Sequence, residues 1–313
     1  MVTAAVARYR GRFAPSPTGP LHLGSLFAAV GSFLEARARG GEWLVRVEDI
    51  DPPREVPGAA GDILRTLEAY SLHWDGAVLF QSRRLDAYRE LVDRLRRVGL
   101  AYDCACSRSD VEKTNALLGR PGSRVYPGTC RRGTARSDPP PLVRLRTAPE
   151  TVEFTDRLQG RFAQSIETDV GDFVLLRRDG YAAYQLAVVA DDHAQGVTDV
   201  VRGTDLLDST PRQIYLQRLL GYPSPDYMHL PVIATPSGEK LSKQTGAAAL
   251  PGDCKEEIAW QVLDCLGQAP PPPLRGAAPA ELWHWAIPRW RPERLAGRRS
   301  IPGSECFGCG AKM

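Results

Sequence analysis

Apolar and polar positions follow two different spacings along the first hundred residues of the chain. Short apolar segments at residues 6–14 and 43–48 predict buried strands. Amphipathic segments of longer period predict helices at residues 23–39, 62–70 and 84–98, and Gly40-Gly41 ends the first of them. Because strands and helices alternate in this order, we predict an α/β fold built on a doubly wound parallel sheet.

The alternation is interrupted where Cys, Arg, Gly and Pro accumulate, and this stretch predicts an insertion. It then returns, with a helix at residues 184–191, a strand at 198–202 and a helix at 206–220. We divide the chain into a first half of the α/β domain (1–101), an insertion (102–165), a second half of the α/β domain (166–250) and a short C-terminal helical segment with a tail (251–313).

The composition narrows the class of protein. Of 313 residues, 43% are hydrophobic and 25% are charged, which is typical of a folded globular protein. No apolar run is long enough for a membrane span or a secretory signal, so we expect a cytoplasmic protein. The net charge is +3, and only five of the 40 basic residues are Lys. The Arg surplus suits a polyanionic partner, although a general compositional bias explains it equally well.

The first candidate site is the turn at residues 13–25, which carries three prolines and leads into a helix. Helix N-termini offer free N–H groups to phosphates. We predict that His22 donates a ring N–H to a phosphate oxygen and that Gly24 lets a nucleotide base approach the backbone. A proline-rich turn with a capping His is the structural alternative.

The second candidate site is the loop at residues 239–244, which holds two of the five Lys, Lys240 and Lys243. Two ammonium groups on a loop can neutralise the charge that develops when the α-phosphate of a triphosphate is attacked. A solvated basic loop is the alternative.

The two sites together resemble the HIGH and KMSKS motifs of class I aminoacyl-tRNA synthetases of the glutamyl type. Further matches to that family are residues 46–54, 72–75, 191–193 and 201–206, and the resemblance covers residues 8–250. It implies a Rossmann-type catalytic domain, ATP and Mg²⁺, and a glutamyl-adenylate intermediate. It also implies catalytic roles for His22, Lys240 and Lys243, and ATP binding by His22, Gly24, Ser25 and Lys243.

Two features are similar to the paralogous glutamyl-Q tRNA(Asp) synthetase family. Ser25 stands at the last HIGH position, and the chain ends near where helical anticodon-binding domains would begin. This resemblance implies activation of L-glutamate without tRNA, followed by its transfer to queuosine in the anticodon stem-loop of tRNA(Asp). The alternatives are a truncated enzyme that charges the 3′ end of tRNA(Glu) and an inactive paralogue that only binds. A monomer is the default expectation.

The resemblance also implies a glutamate pocket made by Arg12, Ser16, Glu48, Tyr184 and Arg202. The charges suit this assignment, because guanidinium groups bind carboxylates and a carboxylate binds an ammonium group. A strand-end ion pair for Glu48 and a core position for Tyr184 are the structural alternatives. For Asp191-Asp192-His193, a helix-end cluster beside the pocket is favoured over a metal site.

Three cysteines of the insertion, Cys104, Cys106 and Cys130, can converge on one structural Zn²⁺. Zinc commonly takes four ligands, and no His lies between His73 and His193. The resemblance implies Tyr126 as the fourth ligand, with water as an alternative, and three free thiols remain possible. Cys306 and Cys309 near the C-terminus are half of a potential metal site and are assigned no role.

Overall fold

The computed structural model describes residues 8–134, 140–235, 240–241, 249–251 and 254–303. Its strands are β1 (Arg10–Phe13), β2 (Glu42–Val47), β3 (Leu79–Phe80), β4 (Ala101–Cys104), β5 (Leu142–Leu145), β6 (Thr151–Asp156), β7 (Gly160–Ser165), β8 (Val174–Leu176), β9 (Asp199–Gly203), β10 (Asp226–Leu230), β11 (Val232–Ala234) and β12 (Ser300–Pro302). Its helices are α1 (Leu23–Ala38), α2 (Ala59–Ala69), α3 (Leu85–Arg97), α4 (Arg108–Leu117), α5 (Tyr184–Ala194), α6 (Thr210–Leu220), α7 (Lys255–Cys265) and α8 (Pro279–Ala286). None of the described helices is long and apolar enough to cross a membrane.

Parallel strands form the centre of the molecule, as predicted. Strands β1, β2 and β3 pair in that order, and β9 pairs with β10. The two groups lie side by side where the Thr198 N–H, just before β9, donates to the Arg10 carbonyl at 3.0 Å. The strand order is therefore β3-β2-β1-β9-β10, and the chain changes direction across the sheet between β1 and β9. Ligands of such sheets bind outside the carboxyl ends of the strands at this switch point.

Both faces of the parallel sheet are covered by apolar packing. On one face, Trp43 of β2 and Leu230 of β10 share a core with α1, α7 and α8. On the other face, Val200 of β9 and Tyr227 of β10 share a core with α3, α5 and α6. Gly31 lets α1 approach β10, because a Cβ at that position would lie 2.5 Å from a methyl group of Leu230. The C-terminal segment thus packs into the main core, and its strand β12 pairs with β11.

The insertion contains two antiparallel units. Strands β4, β5 and β8 form one sheet, and β6 and β7 form a hairpin. The predicted boundaries at 101/102 and 165/166 differ from this arrangement, because β4 begins at Ala101 and β8 lies beyond residue 165. The physical reason is that β8 pairs with a strand some thirty residues earlier, a contact that local patterning does not encode.

The structure also shortens one predicted helix. The segment expected as one helix at residues 206–220 is a 3₁₀ helix over Thr204–Ser209 followed by α6. Pro211 explains the break, since proline is favoured in the first turn of an α-helix and disfavoured in its interior.

Candidate active site

A cavity of about 910 Å³ opens at the carboxyl ends of β1 and β9. Nine of the predicted site residues line it: Arg12, Ser16, His22, Gly24, Ser25, Glu48, Tyr184, Arg202 and Lys240. Lys243 lies outside the described residues. The cavity therefore sits where the strand order predicts a ligand, and residues from both halves of the α/β domain meet in it.

One face of the parallel sheet carries charged side chains at the cavity. Side chains two residues apart in a strand point to the same face. Arg12 and Arg46 lie on the face that α5 covers, and Asp192 of α5 pairs with both. Its Oδ1 accepts from Arg12 Nε at 3.1 Å and from Arg46 Nη1 at 2.7 Å. Asp192 therefore holds Arg12 in place while the Arg12 side chain lines the cavity.

Burial and ion pairing shift the pKa of a buried carboxyl group in opposite directions, and the balance between them differs for Asp192 and Glu48. Burial works against ionisation of Asp192, but Arg12 and Arg46 outweigh it and lower the pKa of its carboxyl group below the usual value. At Glu48, burial outweighs the attraction of Arg46 and Arg12 and raises the pKa of the carboxyl group. A substrate ammonium group beside Glu48 would stabilise the charged form of this acid.

Arg202 lies in the cavity wall, and no carboxylate among the described residues forms an ion pair with its guanidinium. Its side chain is only 6% exposed. Its Nε donates to His229 Nε2 at 3.1 Å, and its Nη2 donates to Thr210 Oγ1 at 2.8 Å and weakly to the Leu206 carbonyl at 3.4 Å. Nη1 is buried and has no hydrogen-bond partner among the described residues. Because arginine does not lose its proton, a carboxylate is the partner this site lacks.

Tyr184 and Ser16 complete the predicted amino-acid side of the cavity. Tyr184 is the first residue of α5 and is half-buried. Burial raises the pKa of its phenol, and Arg202 offsets this only in part. The phenol is therefore a hydrogen-bond donor at neutral pH. Ser16 is exposed on the turn after β1, at the rim.

His22 and Ser25 form a hydrogen-bonded pair at the N-terminus of α1. His22 is the N-cap, and its Nδ1 accepts from the Ser25 N–H at 3.3 Å. This places the ring proton on Nε2, which lies 3.1 Å from Ser25 Oγ and donates to it. The Ser25 hydroxyl hydrogen is then directed elsewhere. At Gly24, a Cβ would lie 3.3 Å from the His22 ring and 3.5 Å from the Leu241 carbonyl.

The described residues on both sides of 242–248 lie against this turn. Ala249 pairs with His22, and the Leu250 N–H donates to the Leu21 carbonyl at 3.3 Å. On the other side, the Leu241 carbonyl faces Gly24 of the turn, and Lys240 pairs with Ala234 of β11. The two motifs that are about 220 residues apart in the sequence are therefore neighbours in space.

Lys240 forms an ion pair at the exposed side of the cavity. Its Nζ lies 2.6 Å from Asp205 Oδ2, and the two side chains are 47% and 29% exposed. Asp205 also lines the cavity. The ammonium group thus contacts a solvent-facing carboxylate, in contrast to the buried cations at the other end.

The four predicted zinc ligands also meet. The sulfur atoms of Cys104, Cys106 and Cys130 lie within 4.8 Å of one another, and all three residues are buried. The Tyr126 hydroxyl lies 3.3 Å from Cys104 Sγ and 3.6 Å from Cys106 Sγ, and it accepts from the Cys130 N–H at 2.8 Å. Zinc–sulfur bonds of about 2.3 Å imply sulfur separations of ~3.8 Å in a tetrahedron. The cluster therefore fits one zinc ion.

Asp191 and Asp192 point to different partners at the end of α5. Asp191 is fully buried and accepts from Gln81, Arg84 and Tyr88. In the part of the chain that the structure describes, no three potential metal ligands converge here. The interpretation as a helix-end cluster beside the pocket fits this geometry.

Three residues at or near the site were not predicted from the sequence: Asp156, Asp205 and His229. His229 lies opposite Arg202 in the β9–β10 pair, and Asp156 contacts His229 from the β6–β7 hairpin. The alternation of side chains along a strand predicts which face of β10 carries His229. It does not predict which strand pairs with β10, and therefore does not place His229 beside Arg202. Asp205 lies in a motif matched at residues 201–206, without an assigned role.

Comparison with known proteins agrees with this arrangement. Residues 8–254 match the family model of class I tRNA synthetases (E and Q), catalytic domain. The glutamyl-Q tRNA(Asp) synthetase of Dechloromonas aromatica is 58% identical over 90% of this chain and 94% of its own length. That of Pseudomonas putida is 51% identical over 97% and 98%. The structure of a glutamate tRNA ligase from Elizabethkingia meningosepticum in complex with its amino acid matches with a TM-score of 0.78 and 25% identity, over 94% of this chain and 67% of that one. The chain therefore belongs to the class I synthetases of the glutamyl and glutaminyl type and, within them, to the glutamyl-Q tRNA(Asp) synthetase family.

Proposed function

We propose that the protein activates L-glutamate with ATP in the absence of tRNA and then transfers glutamate to queuosine at the wobble position of tRNA(Asp). One observation carries the amino-acid part of this proposal: the buried Arg202 guanidinium has neutral protein partners and a free Nη1 among the described residues. A side-chain carboxylate satisfies it, whereas an amide leaves the charge uncompensated. The names of the relatives support the RNA part.

In the first step, an oxygen of the glutamate α-carboxylate attacks the α-phosphorus of ATP. A bond from that oxygen to phosphorus forms, and the bond to the pyrophosphate leaving group breaks. Arg12 and Arg202 bind the two carboxylates, and Glu48 binds the ammonium group. His22 Nε2–H donates to the Ser25 hydroxyl and orients it, so that this hydroxyl donates to a phosphate oxygen. Lys240 and Lys243 neutralise the developing charge. Mg²⁺ bound with ATP would supply further positive charge, and the protein's own contribution is mainly positioning and electrostatic stabilisation.

In the second step, a hydroxyl of the queuosine cyclopentenediol attacks the carbonyl carbon of the adenylate, and AMP leaves. Unpaired anticodon-loop bases can be turned out into a protein pocket. A second cavity, of about 1200 Å³, lies beside the first and reaches Ala183, next to Tyr184. Five arginines line it against two acids: Arg108, Arg124, Arg144, Arg177 and Arg178 face Glu112 and Asp179. This excess of guanidinium groups suits an RNA backbone, so transfer should weaken as salt rises.

We also propose that Cys104, Cys106, Cys130 and Tyr126 hold one structural zinc ion. Zinc would cross-link β4 to the loop that carries Tyr126 and Cys130. Arg144 of β5 supports the cluster, since its guanidinium lies 3.9 Å from the Tyr126 ring and donates to Cys104 Sγ at 3.3 Å. Purified protein should contain about one zinc per chain. Metal-free protein with titratable thiols would overturn this assignment.

The function is tested in two assays. ATP–pyrophosphate exchange should depend on glutamate and proceed without tRNA, and its absence would contradict the activation step. Glutamate should then be incorporated into queuosine-containing tRNA(Asp) and not into queuosine-lacking tRNA(Asp). Removal of the 3′-terminal adenosine separates this from charging of tRNA(Glu), because an ester on queuosine survives that removal and a 3′ ester does not.

A further inference from the structure

A buried hydrogen-bonded chain leads from the insertion hairpin to the cavity. Asp156, at the end of β6, contacts His229 Nδ1 through Oδ2 at 2.6 Å. His229 Nε2 contacts Arg202 Nε at 3.1 Å. Asp156 and His229 are almost completely buried, and Arg202 is nearly so. The chain joins residues that are 73 and 27 positions apart in the sequence.

The donors and acceptors of this chain fix one protonation state of the imidazole. Arginine has only donors, so His229 Nε2 accepts from Arg202. The ring hydrogen is therefore on Nδ1, where it donates to the Asp156 carboxylate. Burial lowers the pKa of His229, and the neighbouring Arg202 adds to this, although Asp156 acts in the opposite direction. The imidazole is therefore neutral, and its Nε2 lone pair faces the Arg202 Nε–H and the Thr210 hydroxyl, whose Oγ1 lies 3.2 Å away.

This arrangement orients Arg202 without cancelling its charge. Nε is held by His229 and Nη2 by Thr210, so the plane of the guanidinium is fixed and Nη1 is directed away from both. A carboxylate in place of His229 would also orient the guanidinium, but it would neutralise the site before substrate arrived. A neutral acceptor is thus the residue type that leaves the cation available to an anionic ligand.

Asp156 also has a local structural role, which any test has to separate from the proposed one. Its Oδ1 accepts from the N–H groups of Leu158 and Gln159 in the β6–β7 turn, at 3.0 and 2.9 Å. Its Oδ2 accepts from the His229 N–H at 3.0 Å. These bonds stabilise the turn and attach it to β10, but none of them requires an imidazole at position 229.

We propose that Asp156 and His229 are positioning residues that hold the Arg202 guanidinium for the side-chain carboxylate of the amino-acid substrate, and thereby set the preference for glutamate over glutamine. The proposal rests on the proposed function, since it assumes that Arg202 binds glutamate. It assigns the β6–β7 hairpin a part in amino-acid selection, although this hairpin contributes no residue to the cavity wall.

The test compares His229→Gln with His229→Asn in glutamate-dependent ATP–pyrophosphate exchange. The Gln side chain can place an acceptor near the position of Nε2, whereas the Asn side chain ends at the position of Nδ1. We expect His229→Asn to raise the KM for glutamate about ten- to a hundredfold, because a hydrogen bond to a charged group is lost. The KM for ATP should change less than about twofold, and His229→Gln should recover most of the loss. The kcat/KM for glutamate divided by the kcat/KM for glutamine should fall in the Asn variant.

Tyr227→Phe is the matched control on the same strand. It removes a buried hydrogen bond to Gln217 but keeps the aromatic ring next to Arg202. Asp156→Asn gives a second test that leaves the imidazole in place, and thermal unfolding reports the stability of every variant. If His229→Asn lowers Tm but leaves the KM for glutamate and the glutamine ratio as in Tyr227→Phe, the residue is only structural and the proposal is wrong. A wild-type protein without glutamate-dependent exchange would instead refute the proposed function, and the inference with it.

Discussion

The two ends of the cavity hold their charges in different ways. At the amino-acid end, Arg12 and Arg202 are buried, and each is fixed by side chains from another element. At the nucleotide end, His22 is half-buried at a helix N-terminus, and Lys240 is exposed and paired with Asp205. The first region is built before substrate arrives, whereas the second consists of a turn and a surface cation.

This difference corresponds to two tasks in the proposed reaction. A binding site rejects an amino acid when that amino acid would leave a buried polar group of the site unpaired. The polar groups that select the substrate must therefore be held in place. Accelerating adenylate formation requires positive charge that stabilises the transition state more than the ground state. Variants at the two ends should therefore affect different kinetic constants.

The largest effect is expected from Arg202→Ala. Removing one partner of a buried charged contact costs about 2–5 kcal/mol in comparable cases, so the kcat/KM for glutamate should fall roughly 30- to 5,000-fold. The loss should lie mainly in the KM for glutamate, with the KM for ATP nearly unchanged, as measured by pyrophosphate exchange. Arg202→Lys is the control for charge alone and should recover little, since Lys lacks the fork geometry. An equal rise in the KM for glutamate and in the KM for ATP would show that the two ends of the cavity do not have separate roles.

Lys240→Ala should have the opposite signature. Loss of a cation near the developing charge typically costs about 10²-fold in kcat. We expect this loss in pyrophosphate exchange, with an unchanged KM for glutamate, and the same pattern for Lys243→Ala. Lys255→Ala, a cation of α7 that does not line this cavity, is the control. A raised KM for glutamate with normal kcat would place Lys240 in amino-acid binding instead.

The smallest effect is expected in the pH dependence of stability. The pKa of His229 is lowered on folding, so the unfolded chain binds more protons as the pH falls through about 6.5. His229 therefore contributes a loss of stability on acidification between pH 7 and pH 5, whereas Glu48, whose pKa burial raises, acts in the opposite direction. The lowered pKa values of Asp156 and Asp192 act in the same direction as His229, but only as the pH falls below about 4. The groups that face His229 are Asp156, Arg202 and, at longer range, Arg12.

Differential scanning calorimetry of wild type and His229→Gln checks this prediction. The variant has no imidazole to titrate, so from pH 7 to pH 5 its Tm should rise by about a few degrees relative to that of the wild type. Equal slopes would show that His229 does not differ in proton affinity between the folded and unfolded states.

Several features were predictable because they depend on neighbours in the chain. The helix that begins at Leu23 and the strand at residues 42–47 lie within a residue or two of the predicted bounds, since caps, glycines and apolar spacing act locally. Pro211 shows the limit of such patterns, because it moved the start of α6 although the apolar spacing continued. The site residues could be identified as candidates by type, from motifs that resemble a known family.

The sequence by itself determined which residue types were available: cations in two motifs, acids after the second strand, and three cysteines in the insertion. Only the tertiary structure decided which of these charges are compensated. Among the described residues, Asp192 neutralises part of the Arg12–Arg46 pair, Asp205 contacts Lys240, and Arg202 has neutral partners. The physical reason is that Coulomb energy and desolvation depend on distance and burial, and both are set by contacts between residues far apart along the chain.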